Sequence, residues 1–321
     1  MDKLLLNAEQ INRLNEKIAA ESESGVVDLT KAECPRYAVA LRRTAVYIEP
    51  KARSGRELFD YNRESVLLPY EPILVLDDCG EFYRVRARNT QGYVLRDTVA
   101  VTYDRALWLN FANPSKFLVV TADMLGALSM GTRIPCDENF CVMVPSIKRG
   151  EMSVETYHID NMYGLRVGYL PLTQKNIFKQ LALCVGDVYG WGGSFDSRDC
   201  SALISEVYAS FGIFLGRNAA NQMFCGTRHI DLSGSSACDK ERLIMSLPVG
   251  SLVYFPGHVM AYIGAFAQKP YIVHAIYGYG PQKARILPNS VIITDMDIIR
   301  TKNGEKFIDN ITDAVIFTQK E

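Results

Sequence analysis

Cys200 is surrounded by the residue types that a nucleophilic thiol needs. The run Arg198-Asp199-Cys200-Ser201 leads into Leu203, Ile204, Val207, Tyr208 and Phe211, spaced along one face of a helix. This spacing predicts a helix over 200–212 with the cysteine in its first turn. There the unsatisfied backbone N–H groups and the helix dipole favour a thiolate, and the same N–H groups can hold an oxyanion. Taken singly, Cys200 reads equally well as a core residue of that apolar stripe. The chain has four histidines, and two of them change the reading. Gly257-His258-Val259 and Val273-His274-Ala275 lie in apolar strand patterns at 258–263 and 271–276, joined by a short connection. Alternate side chains of a strand share a face, so a hairpin of even register puts both imidazoles side by side. Sulfur, base and orienting group would then be present together. His158 and His229 have no such company and read as surface or structural residues.

The neighbours of Cys200 each carry two meanings. Asp199 is a helix cap, or it accepts hydrogen bonds from a cationic amine. Its charge raises the pKa of an adjacent thiol, so it suits a reactive cysteine only if a cation offsets it. Ser201 is a first-turn residue or a donor to substrate. Tyr189-Gly190-Trp191-Gly192-Gly193 combines aromatic surface with permissive backbone, either as a packed turn or as a groove wall. Arg217-Asn218-Ala219 is a polar loop after the helix.

These residues need a scaffold, and the composition supplies one. Of 321 residues, 48% are hydrophobic and 22% charged, which is globular chemistry with room for two or three domains. Lys plus Arg (35) balances Asp plus Glu (36), so no basic excess drives nucleic-acid binding. No apolar stretch is long enough to span a bilayer. The run after Met1 stops at Asn7, too short for an export signal, so the expectation is a cytoplasmic protein unless a signal has been removed. The eight cysteines are scattered, with Cys136 and Cys141 the one close pair, so neither a zinc site nor any other metal or cofactor is expected.

Residues 7–22 predict a helix with Ile11, Leu14 and Ile18 on one stripe, and 25–35 a linker or clasp. Two strand-rich blocks follow, at about 37–101 and 116–172. They end alike, on Gln91-Gly92-Tyr93-Val94 and Val167-Gly168-Tyr169-Leu170, which points to two copies of one small β-barrel. Ile177, Leu181, Cys184, Val185 and Val188 predict a helix over 174–188. The last third carries the Cys200 helix and then strands at 251–255, 258–263, 271–276 and 291–294, an α+β layout.

The order aromatic-Gly-Trp-Gly-Gly, Asp-Cys-Ser, Gly-His-Val and Val-His-Ala resembles the NlpC/P60 cysteine peptidases, over about 174–318. The two β-rich blocks resemble bacterial SH3 domains, and the first 35 residues resemble the N-terminal clip of such multidomain members. The resemblance implies a clip over 1–36, a first SH3-like barrel over 37–110, a second over 111–172 and a papain-like peptidase domain over 173–321. It implies Cys200 as nucleophile, His258 as base and His274 as orienting residue. It further implies a substrate of peptidoglycan stem peptides or muropeptides, cut between D-γ-glutamate and a diamino acid, by a monomer. In members with SH3 domains the free amine of an N-terminal L-alanine meets the residues matching Asp199 and Ser201, beside aromatic residues matching Tyr189 and Trp191. Two positions depart from that pattern. The stretch Asn89-Thr90-Gln91-Gly92-Tyr93 puts Thr90 where a tyrosine is expected, leaving Tyr93 as its nearest substitute, and Arg217-Asn218-Ala219 replaces Arg-Asp-Ser. The alternatives to hydrolysis are a silent module that binds wall peptides and an acyltransferase on the same scaffold.

Overall fold

The computed structural model describes residues 2–52, 59–122 and 128–319. The chain begins with strand β1 (Leu4–Leu6) and helix α1 (Ala8–Ala20). Asn7 caps α1 by accepting from the Gln10 N–H, and the Gln10 side chain returns the bond to the Asn7 N–H. Ile11, Leu14 and Ile18 form the buried stripe, and they enter the same core as Leu203, Ile204 and Val207. Each such burial stabilises by roughly 2 kcal/mol, so the first helix is part of the C-terminal core rather than a detached clip. The chain then crosses outward, and Val27 donates its N–H to the Arg88 carbonyl.

The first β-rich block holds β2 (Tyr37–Ala40), β3 (Thr44–Tyr47), β4 (Arg63–Leu67), β5 (Pro72–Cys79), β6 (Phe82–Arg86), β7 (Gln91–Leu95) and β8 (Val99–Thr102). They form one antiparallel sheet in the order β4-β3-β7-β6-β5-β2-β8. Leu67 of the first strand in that order and Val99 of the last share one core with Val46, Val75, Val85 and Val94, so the sheet curls around its own interior. Helix α2 (Arg105–Ala112), capped by Asp104, presses Trp108 and Phe111 onto the outer face beside Tyr37, Val39 and Leu74. The expected boundary at 110/111 therefore falls inside a helix.

The second block is built differently. Strands β9 (Phe117–Val120), β10 (Arg133–Pro135) and β13 (Leu165–Val167) make one sheet, and β11 (Cys141–Lys148) and β12 (Glu151–His158) make another. The shared sequence endings do not mark shared structure. Gly92 lies within β7, where an added Cβ would meet the Tyr47 carbonyl oxygen at 2.3 Å, whereas Gly168 sits in an open turn at φ +64°.

The last part runs β14 (Leu172–Thr173), α3 (Gln174–Leu183), α4 (Cys200–Ala209), α5 (Ala219–Gln222), β15 (Arg228–Asp231), α6 (Ala237–Ser246), β16 (Leu252–Phe255), β17 (His258–Phe266), β18 (Lys269–Ile276), β19 (Ser290–Asp295), α7 (Phe307–Asn310) and β20 (Asp313–Ile316). Strand β14 pairs with β1. The rest form a six-stranded antiparallel sheet, β15-β20-β16-β17-β18-β19. One face, with Val259, Ala261, Val273 and Ala275, packs on α4. The other, with Met260, Tyr262 and Ile272, packs on Ile244 of α6 and on Phe307 and Ile308 of α7. Two helices are shorter than their periodicity predicts. α3 stops at Leu183 because Gly186 takes φ +97°, and α4 stops before Gly212, which takes φ +80°. Among the described residues, no helix is long and apolar enough to cross a membrane.

Candidate active site

Cys200 is the first residue of α4, and Asp199 is its cap, accepting from the Ala202 N–H. Burial pushes the Cys200 thiol up to about 12, with the Asp199 charge adding to the rise. The N–H groups of Val259 and Ser201 point at the sulfur and partly oppose that shift, as does Arg217. Val259 follows His258, so the thiol lies against the first peptide unit of β17.

The two histidines meet as the even register requires. Ala261 pairs with Val273 and Tyr262 with Ile272. His258 Nε2 lies 2.9 Å from His274 Nδ1, and His274 Nε2 lies 3.2 Å from Thr294 Oγ1. His274 is fully buried, and both rings pack edge-on to Phe307. Burial, and then the nearby Arg300 charge, lowers His258 to about 3. Burial also lowers His274 well below the usual imidazole range, with His258 adding to it. The imidazoles stand on the α7 side of the sheet, whereas α4 packs on the opposite side. Among the described residues no hydrogen bond links the Cys200 sulfur to either ring; the thiol meets this strand at the Val259 N–H, one residue after His258.

Asp199 does more than cap the helix. Arg217 grips it with Nη2 to Oδ2 at 2.6 Å and Nη1 to Oδ1 at 3.3 Å. Ser201 Oγ donates to Oδ1 at 3.0 Å, and the Gly192 N–H donates to Oδ2 at 3.2 Å. Arg217 Nη1 also donates to Ser201 Oγ. With the Ala202 N–H, five donors meet a group that has about four lone-pair positions. Burial raises the Asp199 carboxyl, but Arg217 and these bonds outweigh it and hold it below its usual range. The cation that Asp199 requires is thus supplied by the chain itself. The expectation that Asp199 and Ser201 await a substrate amine meets a carboxylate already saturated.

The segment leading to Cys200 is anchored from beneath. Arg198 Nε donates to Glu206 Oε2 at 2.6 Å and Nη1 to Asp187 Oδ2 at 2.8 Å. Arg43, in the connection between β2 and β3, reaches Glu206 Oε1 at 2.8 Å and donates to the Ser197 carbonyl. The first sheet also builds the rim. Arg63 Nη2 donates to the Gly193 carbonyl at 3.0 Å, and Tyr61 lies 5.7 Å from the Trp191 ring. Phe59 touches Tyr189, Trp191 and Tyr277. Burial, and then the Cys200 and Asp199 charges, raises the Tyr189 phenol. Glu64 on β4 acts on Arg217. Sequence reasoning did not find Phe59, Tyr61, Arg63, Glu64 or Tyr277, which lie outside every motif that it used.

Asp199, Ser201 and Arg217 thus form one hydrogen-bonded group beside Cys200, Tyr189 and Trp191 pack against Phe59, and His258 and His274 form a separate pair on the other face of the sheet. Tyr93 joins none of them. It faces Tyr47 across β3 and β7, and among the described residues no hydrogen bond, ion pair or ring contact links it to these residues. Thr90 is buried, and its carbonyl accepts the Ala87 N–H in a turn.

Residues 186–290 match the NlpC/P60 family. A solved NlpC/P60 endopeptidase from Photobacterium damselae subsp. piscicida aligns with 99% of this chain and 95% of its own, with a TM-score of 0.78 and 15% identity. An NlpC/P60 family protein from Bacillus cereus aligns over 88% of this chain and 100% of its own, with a TM-score of 0.57 and 15% identity. At that identity the likeness is one of fold. No curated protein matches the chain.

Proposed function

We propose that the NlpC/P60 domain matched over 186–290 is a cysteine endopeptidase acting on peptidoglycan stem peptides, cutting the amide between D-γ-glutamate and a diamino acid. The observation that carries this reading is the 2.9 Å contact of His258 Nε2 with His274 Nδ1, at the strand start that abuts the Cys200 thiol. Because Nε2 is engaged by His274, the free Nδ1 of His258 is the atom that takes the thiol proton. The sulfur attacks the γ-glutamyl carbonyl carbon, and backbone N–H groups at the start of α4 hold the oxyanion. Collapse breaks the C–N bond as His258 Nδ1 returns the proton to the leaving amine. Water, activated by the same nitrogen, then cleaves the thioester. Burial keeps thiol and imidazole each neutral at rest, so the two charges arise together and stabilise each other. Tyr189, Trp191, Phe59 and Tyr61 wall the groove. The curled first sheet is read as an SH3-like barrel, which serves here as part of that wall, and the second block as a divergent partner. Released muropeptides, as in murein peptide recycling, are the proposed form of substrate, taken by a monomer in the cytoplasm.

The test uses defined L-Ala-γ-D-Glu-diamino acid peptides, with and without a blocked amino terminus, and mass spectrometry of the products. Cys200→Ala is expected to abolish cleavage while circular dichroism stays unchanged. Undiminished turnover in Cys200→Ala would end this assignment. Equal cleavage of blocked and free peptides is expected if Arg217 keeps Asp199 from receiving the amine.

A further inference from the structure

Against α4 lies a cavity of about 120 Å³ bounded by all three parts of the chain, with Ala202, Ser205, Glu206 and Ala209 of the helix on one side. Its walls include Val66, Leu68, Glu71, Arg88, Thr132 and Leu215. Of the five charged side chains that line it, Glu206 and Arg217 are ion-paired, Arg133 is held by the Phe111 and Ala112 carbonyls, and Glu71 and Arg88 have no ion-pair partner among the described residues. Arg88 lies over the Phe214 ring at 3.7 Å, and among the described residues no carboxylate pairs with it. Glu71 accepts the Leu68 N–H at 2.9 Å, and among the described residues no cation pairs with it. Burial raises the Glu71 carboxyl, which the Leu68 N–H and then the charges of Arg88 and Arg133 only partly oppose. Burial, and then Arg133, lowers Arg88 to about 10. Both are enclosed by protein yet keep accessible surface, as cavity walls do. Thr132 is 1% exposed and its Oγ1 has no hydrogen-bond partner.

Enclosed charges without an ion-pair partner and an orphan hydroxyl around a void are costly unless something fills it. We infer that the cavity binds a small α-amino acid as its zwitterion, its carboxylate on Arg88, its ammonium on Glu71 and its side chain against Val66, Leu68 and Leu215. The opposite charges on one small molecule match two protein charges that face the same space without touching. The volume fits, since a cavity of about 150 Å³ holds a benzene molecule. This site goes beyond the peptidase reading and is tested without turnover, so the two stand or fall separately.

The experiment is isothermal titration calorimetry of the full chain with L-alanine, L-alaninamide and propionate. L-Alanine is expected to bind saturably, while the amide, which lacks the carboxylate, and propionate, which lacks the ammonium, bind at least ~10-fold more weakly. Glu71→Gln, which keeps an acceptor for the Leu68 N–H, and Arg88→Gln are each expected to weaken L-alanine by ~10-fold or more. Absence of saturable binding at millimolar L-alanine overturns the inference, as does equal binding of the three probes. Should either variant fail to fold, the probe series on the unaltered chain still decides.

Discussion

At the scale of single residues, the Cys200 thiol and the His258 imidazole are neutral at rest, and that has a measurable sign. With Cys200 near 12 and His258 near 3, neither group is charged at pH 7. Alkylation by iodoacetamide follows the thiolate fraction, so its rate is expected to climb about tenfold per pH unit between pH 7 and 9, without levelling. A plateau across that range would show a preformed thiolate–imidazolium pair instead. Asp199 raises the thiol, whereas Arg217 lowers it. Asp199→Asn removes the anion and leaves the guanidinium uncompensated, so both changes favour the thiolate. Alkylation at pH 8 is expected to rise by about tenfold, one unit of thiol pKa. Peptide cleavage falls in the same variant, because the grip on Arg217 and the Gly192 N–H is lost. Slower alkylation in Asp199→Asn would contradict the electrostatic account. Asp199 also sets an acid limit. Its carboxyl is held below its unfolded value, so its contribution to stability is complete above about pH 4 and fades as pH falls through the folded value.

At the scale of elements, the turn before Cys200 depends on the sheet that covers it. Gly192 and Gly193 take φ +56° and +78°. A Cβ on Gly192 would lie 2.7 Å from the Arg63 carbonyl oxygen, and one on Gly193 2.7 Å from Val66 Cβ. Gly192→Ala therefore meets both backbone strain of about 1–2 kcal/mol and a rigid wall at β4. Cleavage is expected to drop by tenfold or more, with limited proteolysis cutting near β4 faster than in the parent chain. Unchanged activity and proteolysis would mean that the turn and β4 are not tightly seated. Much of this level was legible beforehand. The apolar spacing after Cys200 gives α4, and alternation around His258 and His274 gives a hairpin, whose register the sequence leaves as a condition and which shifts between Tyr262 and Gly264. Other elements left no such trace. α6 buries only Lys240 and Ile244, so its sequence shows no apolar stripe. β15 is an exposed edge strand, Arg-His-Ile-Asp, without alternation. Asp313–Ile316 becomes β20 only through pairing with β15 and β16. At the site, Phe59, Tyr61 and Glu64 come from another part of the chain, and only tertiary docking brings them to Trp191 and Arg217. Tyr93 shows the reverse case, since proximity to a motif in sequence did not carry it to the groove.

At the scale of the whole molecule, the parts are joined by shared interiors, and the β-blocks are not beads on a linker. α1 belongs to the core under α4, and α2 joins the two β-rich blocks through Trp108 and Met152. The joint nearest Cys200 is ionic. Glu206 sits between Arg43 and Arg198, with side chains only 3–5% exposed. Arg43 additionally donates to Ser129 Oγ and to the Ser197 carbonyl, three residues before the thiol. Replacing one member of a buried ion cluster leaves the others uncompensated, which typically costs about 3–5 kcal/mol. Arg43→Met keeps the length of the side chain but removes the charge and all three contacts. It is expected to lower the midpoint of guanidinium unfolding clearly and to reduce cleavage, because the Ser197–Arg198 segment loses its support from the first sheet. The neighbouring Arg42 is the control. It pairs with Asp97 at 2.9 Å, with both side chains more than half exposed, and such a pair contributes little. Arg42→Met is therefore expected to leave midpoint and cleavage near those of the parent. If the two variants unfold at the same midpoint, the Glu206 cluster does not hold the first sheet to α4, and the apolar contacts around Gly192, Gly193 and β4 must do so instead.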